Sequence, residues 1–120
     1  MTYEQQMTAL YDTAFNRTPD AAGLALHVGL MESGLLDYNQ IADAFAASDE
    51  FKKIHDEDAP IVVVSTVYQF GLDRDATLPE IPAWAIPLAL GTIDTGDFLV
   101  GVALSAERAV LTGISCGDIA

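Results

Sequence analysis

The chain has 120 residues, 51% of them hydrophobic, and its 18 acidic and 5 basic residues give a formal net charge of −13 at pH 7. A chain of this length can bury a core as one compact domain without metals or disulfides, and its single cysteine, Cys116, cannot form an internal disulfide. The negative charge repels phosphate backbones and anionic lipid surfaces, which excludes nucleic acid as a partner, and no apolar run approaches the roughly 20 residues of a membrane-spanning helix.

The start of the chain carries no secretion signal of the Sec type. Residues 1–6 contain neither a basic segment nor the beginning of an apolar one, which predicts that there is no Sec signal peptide. Apolar residues instead recur at the spacing of one helical face and predict a first helix. These residues are Tyr3, Met7, Leu10, Tyr11, Ala14 and Phe15.

A second helix is predicted from about Asp20 to Ser33. Thr18 or Asp20 can cap free backbone N–H groups, and Pro19 between them is tolerated in the first turn of a helix. Gly34 follows the helix and can take the left-handed conformation that ends many helices. The sequence therefore predicts that the chain turns at Gly34.

A third helix is predicted to begin at Asp37. Its carboxylate can cap the backbone, with Gln40 three residues later as the partner in a capping box. Ser48 follows the apolar face of this helix and precedes acidic residues, which is typical of an N-cap. It predicts a short fourth helix.

Residues 10–50 of the chain align without gaps with residues 67–107. We call this alignment, in which residue 10 is placed on residue 67, the repeat register. Because Gly, Asp and Ser recur at the predicted helix boundaries, the alignment predicts a duplicated helical unit. The identical pairs are Tyr11 and Tyr68, Arg17 and Arg74, Gly34 and Gly91, Asp37 and Asp94, Ala46 and Ala103, Ser48 and Ser105, and Glu50 and Glu107. In the second unit, Gly91 is therefore expected to stop a helix, while Asp94 and Ser105 are expected to cap helices.

We predict an all-α fold in which two tandem copies of a roughly four-helix unit pack into one compact domain. The predicted units span residues 1–56 and 57–112, and residues 113–120 form a tail. Prolines interrupt the second helix of the second unit, and Pro87 within it would remove a backbone hydrogen bond at a cost of about 3 kcal/mol. We expect a kink or a late start there.

Arg17 and Arg74 occupy equivalent positions, as do Glu50 and Glu107. We predict that each arginine pairs with the glutamate of its own unit and ties the turn between the first two helices to the start of the fourth. A guanidinium group suits such bidentate contacts. The alternative is an arginine that faces a ligand. If the Arg17 pair is partly buried, Arg17→Ala would cost about 2–4 kcal/mol, against about 0–1 kcal/mol for an exposed pair.

No arrangement of residues indicates catalysis. His27 takes the position of Trp84 in the second unit, which predicts ring packing rather than a catalytic base, and His55 is expected in a solvated acidic linker. Asp73 and Asp75 lack the spacing of a calcium loop. Catalytic triads, zinc motifs, phosphate loops and dinucleotide motifs are missing from the sequence. We therefore predict a protein that is not an enzyme and that holds no metal or cofactor.

Two motifs carry a family resemblance. The Arg-x-Pro-Asp-x-x-Gly motif at residues 17–23 and the Ser-x-Glu-Phe motif at residues 48–51 are similar to those of domain of unknown function family 4214. The likeness covers residues 8–54 and returns in weaker form in the second unit. That family is helical and occurs in tandem in secreted calcium-repeat, surface-associated and phage-encoded proteins. The resemblance therefore implies an accessory or structural module, and it supplies no active site.

These features lead us to expect a structural or adhesion module that makes protein–protein contacts in an extracellular assembly. The setting would be a phage virion or a bacterial surface or secreted protein. The expected partners are other proteins of the assembly, including further copies of this chain in a homo-oligomer. The alternative is a carbohydrate-binding module that attaches to cell-surface glycans, with Tyr38 and Trp84 as exposed glycan contacts.

Overall fold

The protein is described from a computed structural model, which covers residues 2–55, residues 59–105 and Arg108. Across these residues the chain forms seven α-helices and no strand, which confirms the predicted all-helical fold class. The helices are α1 (Tyr3–Phe15), α2 (Ala21–Glu32), α3 (Tyr38–Ala46), α4 (Asp49–Ile54), α5 (Pro60–Leu72), α6 (Glu80–Leu90) and α7 (Thr95–Ala103). Among the described helices none is long and apolar enough to cross a membrane.

Local sequence signals explain where α1 and α5 begin and end. The Thr2 side chain accepts a hydrogen bond from the Gln5 backbone, and the Gln5 side chain accepts one from the Thr2 backbone, so α1 begins with a capping box. Pro60 opens α5, where its missing N–H costs nothing. The two helices end at Asn16 and Asp73, with φ angles of 56° and 54° in the left-handed region that Asn and Asp tolerate.

The second helix of each half starts differently. Asp20 caps α2 by accepting a 2.6 Å hydrogen bond from the Gly23 backbone. The first residue of α2, Ala21, corresponds to Leu78 in the repeat register, but α6 begins at Glu80, so the predicted late start is observed. Pro87 lies inside α6.

Helix bounds recur in the repeat register. The bounds of α1 correspond to those of α5, and the bounds of α3 correspond to those of α7. The division into units 1–56 and 57–112 stays a prediction, because residues 56–58 and most residues beyond 105 lie outside the described part of the chain. The predicted tail, 113–120, also lies outside it.

Both halves build one core. Helix α1 packs against α5, and α3 packs against α7, while α2 lies mainly on α1 and α6 on α5. Complete burial of a large apolar side chain stabilises the fold by about 1.5–3 kcal/mol, so these contacts hold the halves together. The large apolar side chains that are fully buried include Met7, Leu10, Ile41, Val64, Val67, Phe98 and Leu99.

Candidate functional site

Arg17 makes a bidentate ion pair with Glu50. Its Nε lies 2.7 Å from Glu50 Oε2, and its Nη2 lies 2.8 Å from Oε1, so the turn after α1 is tied to the start of α4. The pair is well exposed, because the two side chains keep 44% and 41% of their accessible surface. The hydrogen bonds from Arg17 lower the pKa of Glu50. The guanidinium also lies 5.0 Å from the centre of the Tyr11 ring, where a cation–π contact adds to the pair.

Arg74 occupies the equivalent place in the second half and lies over the Tyr68 ring at 5.2 Å. It donates two hydrogen bonds of 2.7 and 2.8 Å to Glu80, at the start of α6. These bonds, together with one from the Thr77 backbone, lower the pKa of Glu80 to about 2. The predicted partner, Glu107, lies outside the described residues. Sequence reasoning missed Glu80, whose signal was its place three residues after Thr77, whose hydroxyl accepts a hydrogen bond from the Glu80 backbone.

His27 and Trp84 occupy equivalent ring positions inside the two halves. His27 Nδ1 lies 2.8 Å from the Gly23 carbonyl oxygen and 3.3 Å from the Tyr11 hydroxyl. Trp84 Nε1 donates a 2.9 Å hydrogen bond to the Tyr68 hydroxyl. Both rings are half-buried against the core. In each half, this position therefore holds a ring that lies within hydrogen-bond distance of a tyrosine hydroxyl, that of Tyr11 in α1 or that of Tyr68 in α5.

The two rings proposed to contact glycan are partly buried and contact other residues of the protein. Trp84 lies against Phe98, with ring centres 4.9 Å apart, and its six-membered ring covers Gly101. The Tyr38 hydroxyl donates a 2.7 Å hydrogen bond to the Gln6 carbonyl oxygen, and burial raises the pKa of this phenol. Glycan binding through Tyr38 and Trp84 stays a prediction.

The predicted caps and stops lie at helix ends. Asp37 and Asp94 accept hydrogen bonds from the backbone of Gln40 and Asp97, whose side chains complete capping boxes. Ser48 caps α4 through the Phe51 backbone, and Ser105 accepts a 3.2 Å bond from the Arg108 backbone. Gly34 and Gly91 have φ angles of 75° and 73°. Each follows a helix in a Schellman turn, and the second turn repeats the first in the repeat register.

His55 does not lie in a solvated linker, so that prediction is wrong. Its ring is buried, with 6% of the residue exposed, and it lies 4.2 Å from the Phe51 ring, centre to centre, with Phe70 at 6.1 Å. The acidic residues beside it in the sequence suggested exposure. The ring lies instead between Phe51 of α4 and Phe70 of α5, and local sequence does not reveal the approach of Phe70.

Acidic side chains meet where α3 crosses α7. The pKa of Asp43 is raised by partial desolvation and by the neighbouring charge of Asp94, with smaller contributions from Asp97 and Asp37. Gly96 allows this approach, because a Cβ there would lie 2.9 Å from the Asp43 backbone nitrogen. No group of three His, Cys, Asp or Glu residues within the described ranges has the geometry of a metal site.

Two open clefts occupy equivalent places in the two halves. The first, of about 340 Å³, lies between the start of α1, the Gly34 turn and the start of α3. The second, of about 400 Å³, lies between the start of α5, the Gly91 turn and the start of α7. The lining residues that correspond in the repeat register are Tyr3 and Pro60, Gln6 and Val63, Met31 and Leu88, Gly34 and Gly91, Leu36 and Ile93, Asp37 and Asp94, and Tyr38 and Thr95.

A family comparison covers the first half of the chain. The model of the family described as Domain of unknown function (DUF4214) matches residues 1–55. Residues 1–55 belong to this family. Neither the comparison with curated proteins nor the comparison with solved structures gave a match.

The DUF4214 segment contains helices α1 to α4, the Arg17–Glu50 pair and the first cleft. Its match ends one residue before the predicted end of the first unit at residue 56. Outside the DUF4214 segment, the second half keeps the Schellman turn, the α7 capping box and an arginine stacked on a tyrosine. These are the local features that set helix ends and turns.

Helices α2, within the DUF4214 segment, and α6 expose apolar side chains. Each lies mainly on one other helix, so much of its surface faces outward. Leu26 on α2 is 59% exposed, and Ile86 and Leu90 on α6 are 56% and 73% exposed. The only acidic residues in these two helices are Glu32 and Glu80, and neither helix contains a basic residue. The outer surface of both is therefore apolar and almost uncharged.

Arg108 makes a further contact that sequence reasoning did not assign. It is only 6% exposed, and its Nη1 lies 2.8 Å from Asp12 Oδ2 on α1 and 2.8 Å from the Gly71 carbonyl oxygen on α5. The repeat gave no signal, because the equivalent residue in the DUF4214 segment is the apolar Phe51. Arg108 joins α1 and α5 through an ion pair with Asp12 and a hydrogen bond to Gly71. The equivalent residue in the first half, Phe51, is a buried apolar side chain.

Proposed function

We propose that the protein is a non-enzymatic structural or adhesion module that makes protein–protein contacts in an extracellular assembly. The observation that supports this proposal is the apolar, almost uncharged outer surface of α2 and α6. The rest of the chain is strongly acidic, with a net charge of −13. An exposed apolar surface on an otherwise acidic protein is typical of a site where another protein binds.

The composition of the two helices supports the same function. A helix that is apolar on every side is normally covered on every side. Each of these helices is covered mainly by one neighbour, and Leu26, Ile86 and Leu90 remain more than half exposed. Leaving such side chains in water forgoes about 0.8 kcal/mol per methylene group that a partner could recover. A partner surface, or a second copy of this chain, would cover them.

The setting of the assembly, a phage particle or a bacterial surface, is the part of the proposal that rests on the resemblance of the DUF4214 segment. Site-specific photo-crosslinking in the source organism tests both parts. A photoreactive phenylalanine analogue would replace Leu26 or Ile86, and a matched control would replace Lys53 on the exposed side of α4.

Crosslinking from positions 26 and 86 should give the same discrete protein adduct, which mass spectrometry identifies as a virion or surface component or as this chain itself. Leu26→Glu and Ile86→Glu should keep the helical circular dichroism, and each should remove the adduct made from the exposed position one turn away on its own helix, Ala22 or Leu90. The proposal is refuted if positions 26 and 86 yield no adduct, or only those that position 53 yields.

A further inference from the structure

The two equivalent clefts flank the acidic crossing of α3 and α7. We propose that these clefts bind a cationic segment of a partner protein, with an apolar side chain of that segment seated in a cleft and an adjacent Lys or Arg drawn to the crossing. This surface is separate from the outward faces of α2 and α6, so the inference goes beyond the function proposed above.

Apolar side chains line both clefts and favour an apolar side chain as the occupant. Met31 and Leu36 line the first cleft, and Leu88 and Ile93 line the second at equivalent positions. Both clefts have volumes in the range of about 300–1,000 Å³ that is common for binding sites. At the rim of each lies the glycine of a Schellman turn, next to open space. An apolar side chain can therefore enter either cleft without displacing the backbone.

The carboxylates at and between the clefts favour a positively charged residue in the bound segment. Asp37 lines one cleft and Asp94 the other, and Asp43 and Asp97 lie between them. Neither α3 nor α7 contains a basic residue. The pKa of Asp43 is raised by desolvation and next by the charge of Asp94, so these carboxylates repel one another when they are ionised. A bound cation relieves this repulsion, and the net charge of −13 steers cations toward the protein.

The test follows the backbone amides of Gly34 and Gly91 by ¹H–¹⁵N NMR during titration of short peptides. The probe is N-acetyl-Leu-Lys-amide, added to about 10 mM because a contact this small binds weakly. The matched controls are N-acetyl-Leu-Glu-amide, with reversed charge, and N-acetyl-Ser-Lys-amide, without the apolar side chain. We expect the Leu-Lys peptide to shift at least one of the two glycine amides in a saturable way, and both controls to shift them far less.

Charge variants test the role of the crossing. The double variant Asp43→Asn/Asp97→Asn should weaken binding of the Leu-Lys peptide about fivefold. The control Asp49→Asn/Asp73→Asn removes the same charge from positions outside α3 and α7, and it should bind as the wild type does. Raising the salt concentration to about 0.5 M should weaken wild-type binding, because exposed charges are screened.

Three results would overturn the proposal. They are the lack of any shift at Gly34 and Gly91 with the Leu-Lys peptide, equal shifts with the Leu-Glu peptide, and equal weakening by the two double variants. The titration uses wild-type protein, so it does not depend on the folding of a variant. It also does not involve positions 26 and 86, so its failure would leave the crosslinking result unchanged.

Discussion

Replacing Arg17 by alanine tests how strongly the ion pair holds the turn after α1 to α4. The substitution removes two short hydrogen bonds to Glu50 and the stacking of the guanidinium on Tyr11. Sequence reasoning set the cost at about 2–4 kcal/mol on the condition that the pair is partly buried. Because more than two fifths of each side chain is exposed, that condition is not met.

The expected magnitude follows from the exposed geometry. A solvent-exposed ion pair contributes about 0–1 kcal/mol, and the bidentate arrangement places this pair toward the upper end of that range. The exposed cation–π contact with Tyr11 adds about 0.5–1 kcal/mol. Arg17→Ala should therefore lower the free energy of unfolding by about 1–2 kcal/mol. The part coupled to Glu50 should be about 0.5–1 kcal/mol.

Urea unfolding of Arg17→Ala, Glu50→Ala and the double variant measures this coupling. In about 1 M salt, where the screening length falls to about 3 Å, the coupling should shrink while the stacking contribution remains. Arg17→Lys is the matched control, since it keeps the charge but loses the bidentate geometry. A coupling energy near zero at low salt would refute the lock, and a value above about 3 kcal/mol would refute the exposed geometry.

Three further predictions concern stability. Glu80→Gln should be less stable than the wild type at neutral pH, because Arg74 lowers the pKa of Glu80 only in the folded state. The difference in stability should vanish as the pH falls from 4.5 to about 2, and unfolding free energies measured across this pH range check that direction. Thr13→Val should raise the free energy of unfolding by about 1 kcal/mol, since the buried Thr13 hydroxyl has no hydrogen-bond partner among the described residues; a lower melting temperature would contradict this. Gly96→Ala should destabilise by about 1–3 kcal/mol, because its Cβ would press on the Asp43 backbone, and unchanged urea unfolding would show that α3 and α7 can move apart.

Helix boundaries could be predicted from the sequence because the groups that set them lie within a few residues of one another. Asp37 reaches the backbone of Gln40, three residues on, so the spacing alone identifies the cap. Gly34 takes a positive φ, which favours glycine regardless of the surroundings. The late start of α6 followed from its prolines in the same way.

Contacts between distant segments could not be predicted in this way. The buried ring of His55 lies near Phe70 of α5 as well as near Phe51 of α4, and the approach of Phe70 is set by the tertiary fold. Arg108 reaches Asp12 across 96 residues of chain, and no periodicity marks that pair. The two clefts were also missed, because each combines residues from three helices whose approach is set by packing.

The two most extensive contacts between the halves join helices that correspond to each other in the repeat register, α1 with α5 and α3 with α7. In a symmetric homodimer every interface substitution would appear twice, on both sides of the two-fold axis. In a single chain a substitution changes only one of the two corresponding positions. At the α3–α7 crossing the chain has Gly96 on one side and Asn39 at the corresponding place on the other. Each half can therefore change its own cleft by point substitution while the other half keeps the shape that both need to fold.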